Sequence, residues 1–263
     1  MSNTGDINLN GGKNAVLLIH GLSGSPFEMN YLAKKLNKAG FSVSVPCLAG
    51  HGSSLGDLSR ASWQDWYKSI LKSFYMLKET HNKVFISGIC MGAVLALYAA
   101  CELGDEVSGI SLMSTTLFYD GWSIPWYRIF IPLAYYTPLR YLYSYREKEP
   151  FGIKNTLLRK HVVRLMNEKG IAHAKIPFKS FHELLQFSKM VRKLMPKIEI
   201  PTLILHSLED DTASIRNADY VEKNIGSESV RKILIDDCYH MITVDNKREL
   251  VSQENINFFN EHI

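Results

Sequence analysis

The sequence predicts an α/β protein: a mostly parallel, doubly wound sheet of about six core strands, with a helical cap inserted after the fourth core strand. Three observations carry this expectation. Short apolar runs bounded by turn residues alternate with amphipathic stretches through residues 15–113. The same alternation resumes over 202–262. Between the two lie about 85 residues that lack it. Strand and helix in strict alternation imply parallel strands, because the chain must cross the sheet between them. A chain of 263 residues is long enough for one such domain plus an insertion. The expected division is a core of residues 1–113 and 201–263, with a cap at 114–200.

The elements follow in order. Ala15–His20 (AVLLIH), bounded by Asn14 and Gly21, is a continuous apolar run of the kind that forms a strand buried on both faces. Glu28–Lys38 aligns Met29, Leu32 and Leu36 on one helical face, and Gly40 suits its C-terminal cap. Phe41–Pro46 reads as the second strand. Trp63–Thr80 is an amphipathic helix carrying Trp66, Ile70, Phe74 and Leu77 on its apolar face, with Ser62 as N-cap. Lys83–Ser87 is the third strand, Met91–Leu103 an almost wholly apolar helix, and Val107–Met113 the fourth strand. Within the insertion, Lys154–Glu168 and Lys179–Leu194 read as helices. Thr202–His206, Ser214–Lys223, Arg231–Ile235 and Lys247–His262 complete the pattern as strand, helix, strand and helix.

Composition removes several classes of function. Thirty Lys and Arg against 26 Asp and Glu give a net charge of +4. That charge is spread along the chain, without the basic stripe of a nucleic-acid footprint. Met1–Lys13 is polar and lacks the apolar segment of a signal peptide. The longest apolar stretch, Ile129–Leu139, is interrupted by Pro132 and Pro138 and falls short of the ~18 residues of a spanning helix. Cytoplasmic residence without a transmembrane segment is the expectation. Cys47, Cys90, Cys101 and Cys238 form no CxxC pair and no metal-ligand spacing, so neither a disulfide scaffold, a metal nor a cofactor is expected. Cys47 and Cys101 read as small buried hydrophobes. Cys238, two residues before His240, could approach Cys90.

The chemistry centres on Gly88-Ile89-Cys90-Met91-Gly92, which joins an apolar strand to an apolar helix. This is nucleophile-elbow spacing, in which a tight turn exposes the central side chain and the flanking glycines permit close backbone approach. The usual occupant is serine, whereas here it is Cys90. A helix N-terminus beside an imidazole is an environment that favours a thiolate. Asp210 and His240 each follow a predicted strand, and the order Cys90, Asp210, His240 matches nucleophile, acid and base. Asp211 is the less favoured candidate for the acid. His20-Gly21-Leu22-Ser23-Gly24 closes the first core strand and suits an oxyanion hole, with the Leu22 and Met91 amides as donors. His20 and His51 read as structural.

These features resemble the α/β-hydrolase superfamily, in particular its small bacterial carboxylesterase and monoacylglycerol lipase branch. The matching stretches are HGLSGSP at 20–26, GHGSS at 50–54, SWQDW at 62–66, GICMGA at 88–93, the segment around Asp210, and YHMITVD at 239–245. The resemblance covers about 15–113 and 200–263 and is weak across the insertion. It implies an α/β-hydrolase fold with a helical cap, and cofactor-free hydrolysis of carboxylic esters with Cys90 as nucleophile, Asp210 as acid and His240 as base. The departure is the cysteine in place of serine.

That departure leaves three readings open. One is an acyl hydrolase of carboxylesterase, lipase or thioesterase type, passing through an acyl-thioester on Cys90. Another is an acyltransferase or cyclase delivering the same acyl group to an alcohol or amine. The third is a catalytically silent acyl-binding protein. The partner in each is a small acyl ester or thioester, free or carrier-bound. Residues 118–145 hold 11 aromatic side chains in 28 positions. They supply either the cap's own core or a ring-lined acyl pocket, with Arg128, Arg140, Arg146 and Lys148 placed to meet an anionic group.

Overall fold

The computed structural model describes residues 5–124, 135–137, 144–146, 149–169, 172 and 175–263. The N-terminal part contains β1 (Ile7–Leu9), β2 (Asn14–Ile19), α1 (Asn30–Lys38), β3 (Ser42–Val45), α2 (Leu55–Arg60), α3 (Trp63–Lys78), β4 (Lys83–Ile89), α4 (Met91–Leu103) and β5 (Ile110–Met113). The described part of the insertion contains β6 (Ser144–Arg146), α5 (Thr156–Lys169), β7 (Lys175–Pro177) and α6 (Phe178–Leu194). Then follow β8 (Thr202–Ser207), α7 (Arg216–Asn224), β9 (Val230–Ile235) and α8 (Arg248–Glu261).

The strand order is β1-β3-β2-β4-β5-β8-β9, with every pairing parallel except β1 with β3. Six strands therefore form the expected parallel sheet. The sequence order reverses from β3-β2 to β4-β5, which puts helices on both faces. Strand β2 shows why its sequence is apolar throughout. Ala15, Leu17 and Ile19 pack into one cluster with α3, α4, α6 and α7, while Val16 and Leu18 pack into the opposite one with α1 and α8. Trp66, Ile70 and Phe74 of α3 are fully buried, each worth roughly 1.5–3 kcal/mol of apolar transfer. The start of α3 is fixed by a capping box in which Ser62 and Asp65 bond each other's backbone.

Several local features differ from the sequence reading. The polar N-terminal stretch contributes β1 as an antiparallel edge strand, where Ile7–Leu9 pairs with Val43–Val45. Three residues are too few to show a periodicity. The expected helix from Glu28 begins two residues later, because Pro26–Met29 forms a 3-10 turn. Helix α2, capped by Ser54 and Asp57, was not expected. Cys47 and Cys101 are half-buried rather than buried, and all four cysteines are free.

In the insertion, α5 and α6 match the two helical stretches, and β6 and β7 add a small antiparallel ribbon. Helix α6 buries Leu184, Phe187 and Val191 in the same cluster as α3 and α4. Phe187 stacks on Trp63 at 4.9 Å and meets Tyr98 edge-on at 5.4 Å. Of the aromatic block, Tyr119 packs on Phe181 at 4.6 Å and Tyr135 stacks on His182 at 3.5 Å. Trp126, Tyr127, Phe130, Tyr141 and Tyr143, with Arg128, Arg140 and Lys148, lie outside the described residues. Among the described residues no helix is long and apolar enough to cross a membrane.

Candidate active site

Cys90 occupies the single residue between β4 and α4, with φ 56° and ψ −119°. A non-glycine residue reaches that region at a cost of order 1–3 kcal/mol, so the surrounding structure must impose it. Two close approaches do so. A Cβ on Gly88 would lie 2.2 Å from the Gly92 carbonyl oxygen, and one on Gly92 would lie 2.2 Å from that of Ile19. Both elbow glycines are thus required by neighbouring backbone. The Cys90 N–H donates to Met113 O at 3.0 Å, tying the turn to β5.

His240 lies in the loop between β9 and α8, and Asp210 just beyond β8. His240 Nδ1 is 2.8 Å from Asp210 Oδ2 and 3.0 Å from Oδ1. The Asp210 carboxylate, itself buried, also accepts the N–H groups of Thr212 at 2.9 Å and Ala213 at 2.7 Å. Burial raises its proton affinity, but the His240 and His206 imidazoles and these hydrogen bonds outweigh it, holding the carboxyl below its usual range. Burial likewise works against a charged His240. The Asp210 carboxylate and then the Cys90 sulfur prevail, lifting the imidazole well above its ordinary value. With Nδ1 committed to Asp210, Nε2 is buried without a hydrogen-bond partner among the described residues.

Adjacent to this pair, Asp211 plays a different part. Its Oδ1 accepts the His240 backbone N–H at 3.3 Å, and burial raises its carboxyl. Of the two neighbouring acids, only Asp210 hydrogen-bonds the imidazole in the described structure. His206, which the sequence shows only as the end of an apolar strand, lies with Nε2 3.6 Å from Asp210 Oδ2 and 2.8 Å from Ala213 O. Burial pushes its imidazole down, against the pull of the Asp210 carboxylate. Cys238 is buried in the same cluster as Cys90, and burial pushes its thiol up to about 12.

The loop after β2 stands opposite. Gly21 N–H donates to Glu28 Oε2 at 3.0 Å. Leu22, buried, follows Gly21 in this loop, and Met91 opens α4 directly after Cys90. His20 is fully buried, accepts the Leu48 N–H on Nε2 at 3.2 Å, and so donates from Nδ1 to Gly21 O at 2.9 Å. Burial, followed by the neighbouring His51, lowers it to about 3 and keeps it neutral. His20 is a structural brace for this loop.

The model of the Hydrolase_4 family, described as "Serine aminopeptidase, S33", matches residues 11–247. The chain belongs to that family. This Hydrolase_4 chain is 29% identical over 247 residues to a thermostable monoacylglycerol lipase from Bacillus sp. (strain H-257), covering 94% of this chain and 90% of the relative. It is 23% identical to a carboxylesterase from Bacillus subtilis (strain 168), covering 93% and 91% of the two chains. A solved structure from a study of two metagenome-derived lipolytic enzymes, LipS and LipT, superposes with a TM-score of 0.85 at 24% identity, covering 98% of each chain. The α/β-hydrolase fold and the resemblance to the carboxylesterase and monoacylglycerol lipase branch both hold.

Proposed function

We propose that this chain hydrolyses small carboxylic esters, monoacylglycerols among them, with Cys90 as nucleophile, His240 as base, Asp210 as orienting acid and the Leu22 and Met91 amides as oxyanion donors. The observation that carries the proposal is the buried Asp210 to His240 hydrogen bond, which leaves His240 Nε2 as the ring nitrogen that Asp210 does not engage. The relatives named for monoacylglycerol lipase and carboxylesterase activity support the substrate class.

The reaction runs in two halves. Cys90 gives its thiol proton to His240 Nε2 as the sulfur attacks the acyl carbonyl, and the two amides receive the oxyanion. Collapse breaks the ester C–O bond, and His240 returns the proton to the departing alcohol. The resulting thioester is attacked by water, whose proton passes to His240. The second tetrahedral species expels the sulfur, which recovers that proton as the free acid leaves. Tyr119 and Tyr145, both packed with Phe181 against the buried apolar cluster, would contribute to an acyl pocket formed by the cap at 114–200.

Intact-mass measurement during turnover of p-nitrophenyl acyl esters and a monoacylglycerol tests the proposal. An acyl adduct mapped to Cys90, loss of turnover in Cys90→Ala, and retained or increased turnover in Cys90→Ser are expected. Turnover surviving in Cys90→Ala overturns it. Discharge of the adduct by added alcohol or amine in preference to water would assign the site to acyl transfer. Rates that fall steadily with acyl chain length would sink the apolar pocket.

A further inference from the structure

We propose that Thr116 is a further catalytic residue of this site, its hydroxyl donating a hydrogen bond to the Cys90 sulfur in the thiolate form and to the Ser114 carbonyl in the thiol form. The proposal rests on Cys90 being the nucleophile. Thr116 is fully buried, with Oγ1 3.5 Å from Cys90 Sγ and 3.1 Å from Ser114 O. One hydroxyl proton thus has two acceptors. A thiol sulfur accepts weakly, so the carbonyl wins while the sulfur is protonated. Hydrogen bonds to an ionised acceptor are roughly twice as strong, so the preference reverses once the thiolate forms. A donor that engages only the charged form stabilises that form.

The loop that carries Thr116 is held rigidly enough to aim it. Asn217, buried on α7, accepts the Leu117 N–H at 2.9 Å and the Phe118 N–H at 2.8 Å on one oxygen. Its amide donates to Phe118 O, Asp120 Oδ1 and Ser214 O at 3.2, 3.0 and 3.0 Å. From the other side, Ser188 Oγ on α6 donates to Thr116 O at 3.5 Å. At the head of the loop, Ser114 has φ 44°, a strained value for serine and the second such residue beside the nucleophile after Cys90 itself.

The charges around the sulfur explain why a further donor matters. His240 faces Cys90 with Asp210 behind it, and Asp211 holds the backbone of the same loop. On the oxyanion-loop side, a Cβ on Gly21 would lie 3.4 Å from both Cys90 Cβ and the Glu28 carboxylate. Gly21 thus stands between the nucleophile and the Glu28 carboxylate that holds its N–H, and Thr116 is the hydroxyl that reaches the sulfur from the β5 side.

The test reads the sulfur directly. Iodoacetamide alkylation of Cys90, resolved from Cys47 and Cys101 by peptide mass, is followed across pH alongside the pH profile of ester turnover. Thr116→Val should slow alkylation of Cys90 about tenfold on the acid side and move both profiles to higher pH. Thr116→Ser should restore them, which a merely structural role does not predict. Thr116→Ala provides the same reading should the valine variant fail to fold. Profiles that superpose on the parent's in Thr116→Val or Thr116→Ala overturn the proposal. Cys90→Ala separates the two failures. Turnover surviving there removes Cys90 as nucleophile, whereas its loss together with unchanged Thr116 profiles removes only Thr116.

Discussion

Replacing Asp245 by alanine tests how the histidine loop is held. Asp245 is fully buried and closes the YHMITVD segment. Its carboxylate accepts four backbone N–H groups: Lys154 at 2.7 Å and Asn155, Tyr239 and Asn246 at 2.9 Å each. Two of these donors, Lys154 and Asn155, belong to another loop, and Tyr239, six residues before Asp245 in its own loop, immediately precedes His240. A second clasp runs alongside, with Met241 N–H donating to Gly152 O at 2.8 Å. Hydrogen bonds to a charged acceptor contribute roughly 1.5–3 kcal/mol each, less where water replaces the acceptor. Allowing about 1 kcal/mol for each of the three tethers after water enters, Asp245→Ala should cost about 3 kcal/mol. That is a large part of the roughly 5–15 kcal/mol by which domains are stable. A displacement of His240 by about 1 Å should also lower kcat about a hundredfold. Urea unfolding with fitted midpoint and slope measures the first effect, and ester turnover at saturating substrate the second. A variant whose midpoint, slope and kcat match the parent's would refute the idea that this carboxylate fixes the loop.

Two further outcomes are expected. Asp210→Asn should reduce kcat by about 10⁴-fold. With the carboxylate gone, burial, the largest influence on His240, prevails, so its imidazole should titrate below 6.5 by NMR instead of well above it. The second outcome concerns acid stability. His20 stays neutral in the folded protein down to about 3 while the unfolded chain protonates near 6.5. The unfolded state then binds more protons, so stability falls as pH falls across that window, by up to about 1.4 kcal/mol per pH unit from His20 alone. His20→Gln, which can still accept from Leu48 and donate to Gly21, should flatten the acid limb of urea-unfolding free energy against pH. An unchanged slope would count against a neutral His20. His240 acts with the opposite sign: its raised affinity stabilises below 6.5, and that contribution is lost as pH rises through its folded value.

The parts of this site that were legible in the sequence are those in which one residue type has one physical use. Gly88 and Gly92 flank Cys90 because backbone at 2.2 Å leaves no room for a Cβ, and that constraint shows in the letters alone. The apolar continuity of β2 was legible for a similar reason, since it feeds clusters on both faces. What stayed hidden depends on partners far along the chain. Asp210 and Asp211 are neighbours in sequence, and only the direction of each side chain separates the acid from the residue that ties the His240 backbone. His206 ends an apolar strand and reads as packing until Asp210 is seen 3.6 Å away. Asp245 and Thr116 carry no local signature, because backbone N–H groups from residues 154 and 155 define the one and the Cys90 sulfur the other.

The cysteine changes less of the architecture than of the chemistry. The strained φ at position 90 is imposed through the backbone, by Gly88, Gly92 and the bond to Met113 O, so the elbow itself does not depend on whether the side chain carries oxygen or sulfur. A thiol, however, is far more acidic than a hydroxyl, so it asks less of the base that takes its proton. On the proposed mechanism the work of the site then shifts from generating the nucleophile to stabilising it once formed. A Thr116 hydroxyl at 3.5 Å has a role under that demand which it would not need beside a neutral serine. On the proposed mechanism the sulfur leaves a thioester rather than an ester, so the second half of the cycle is decided by which nucleophile reaches that carbonyl. Closure of the pocket against every acceptor except water is therefore what would make this site a hydrolase.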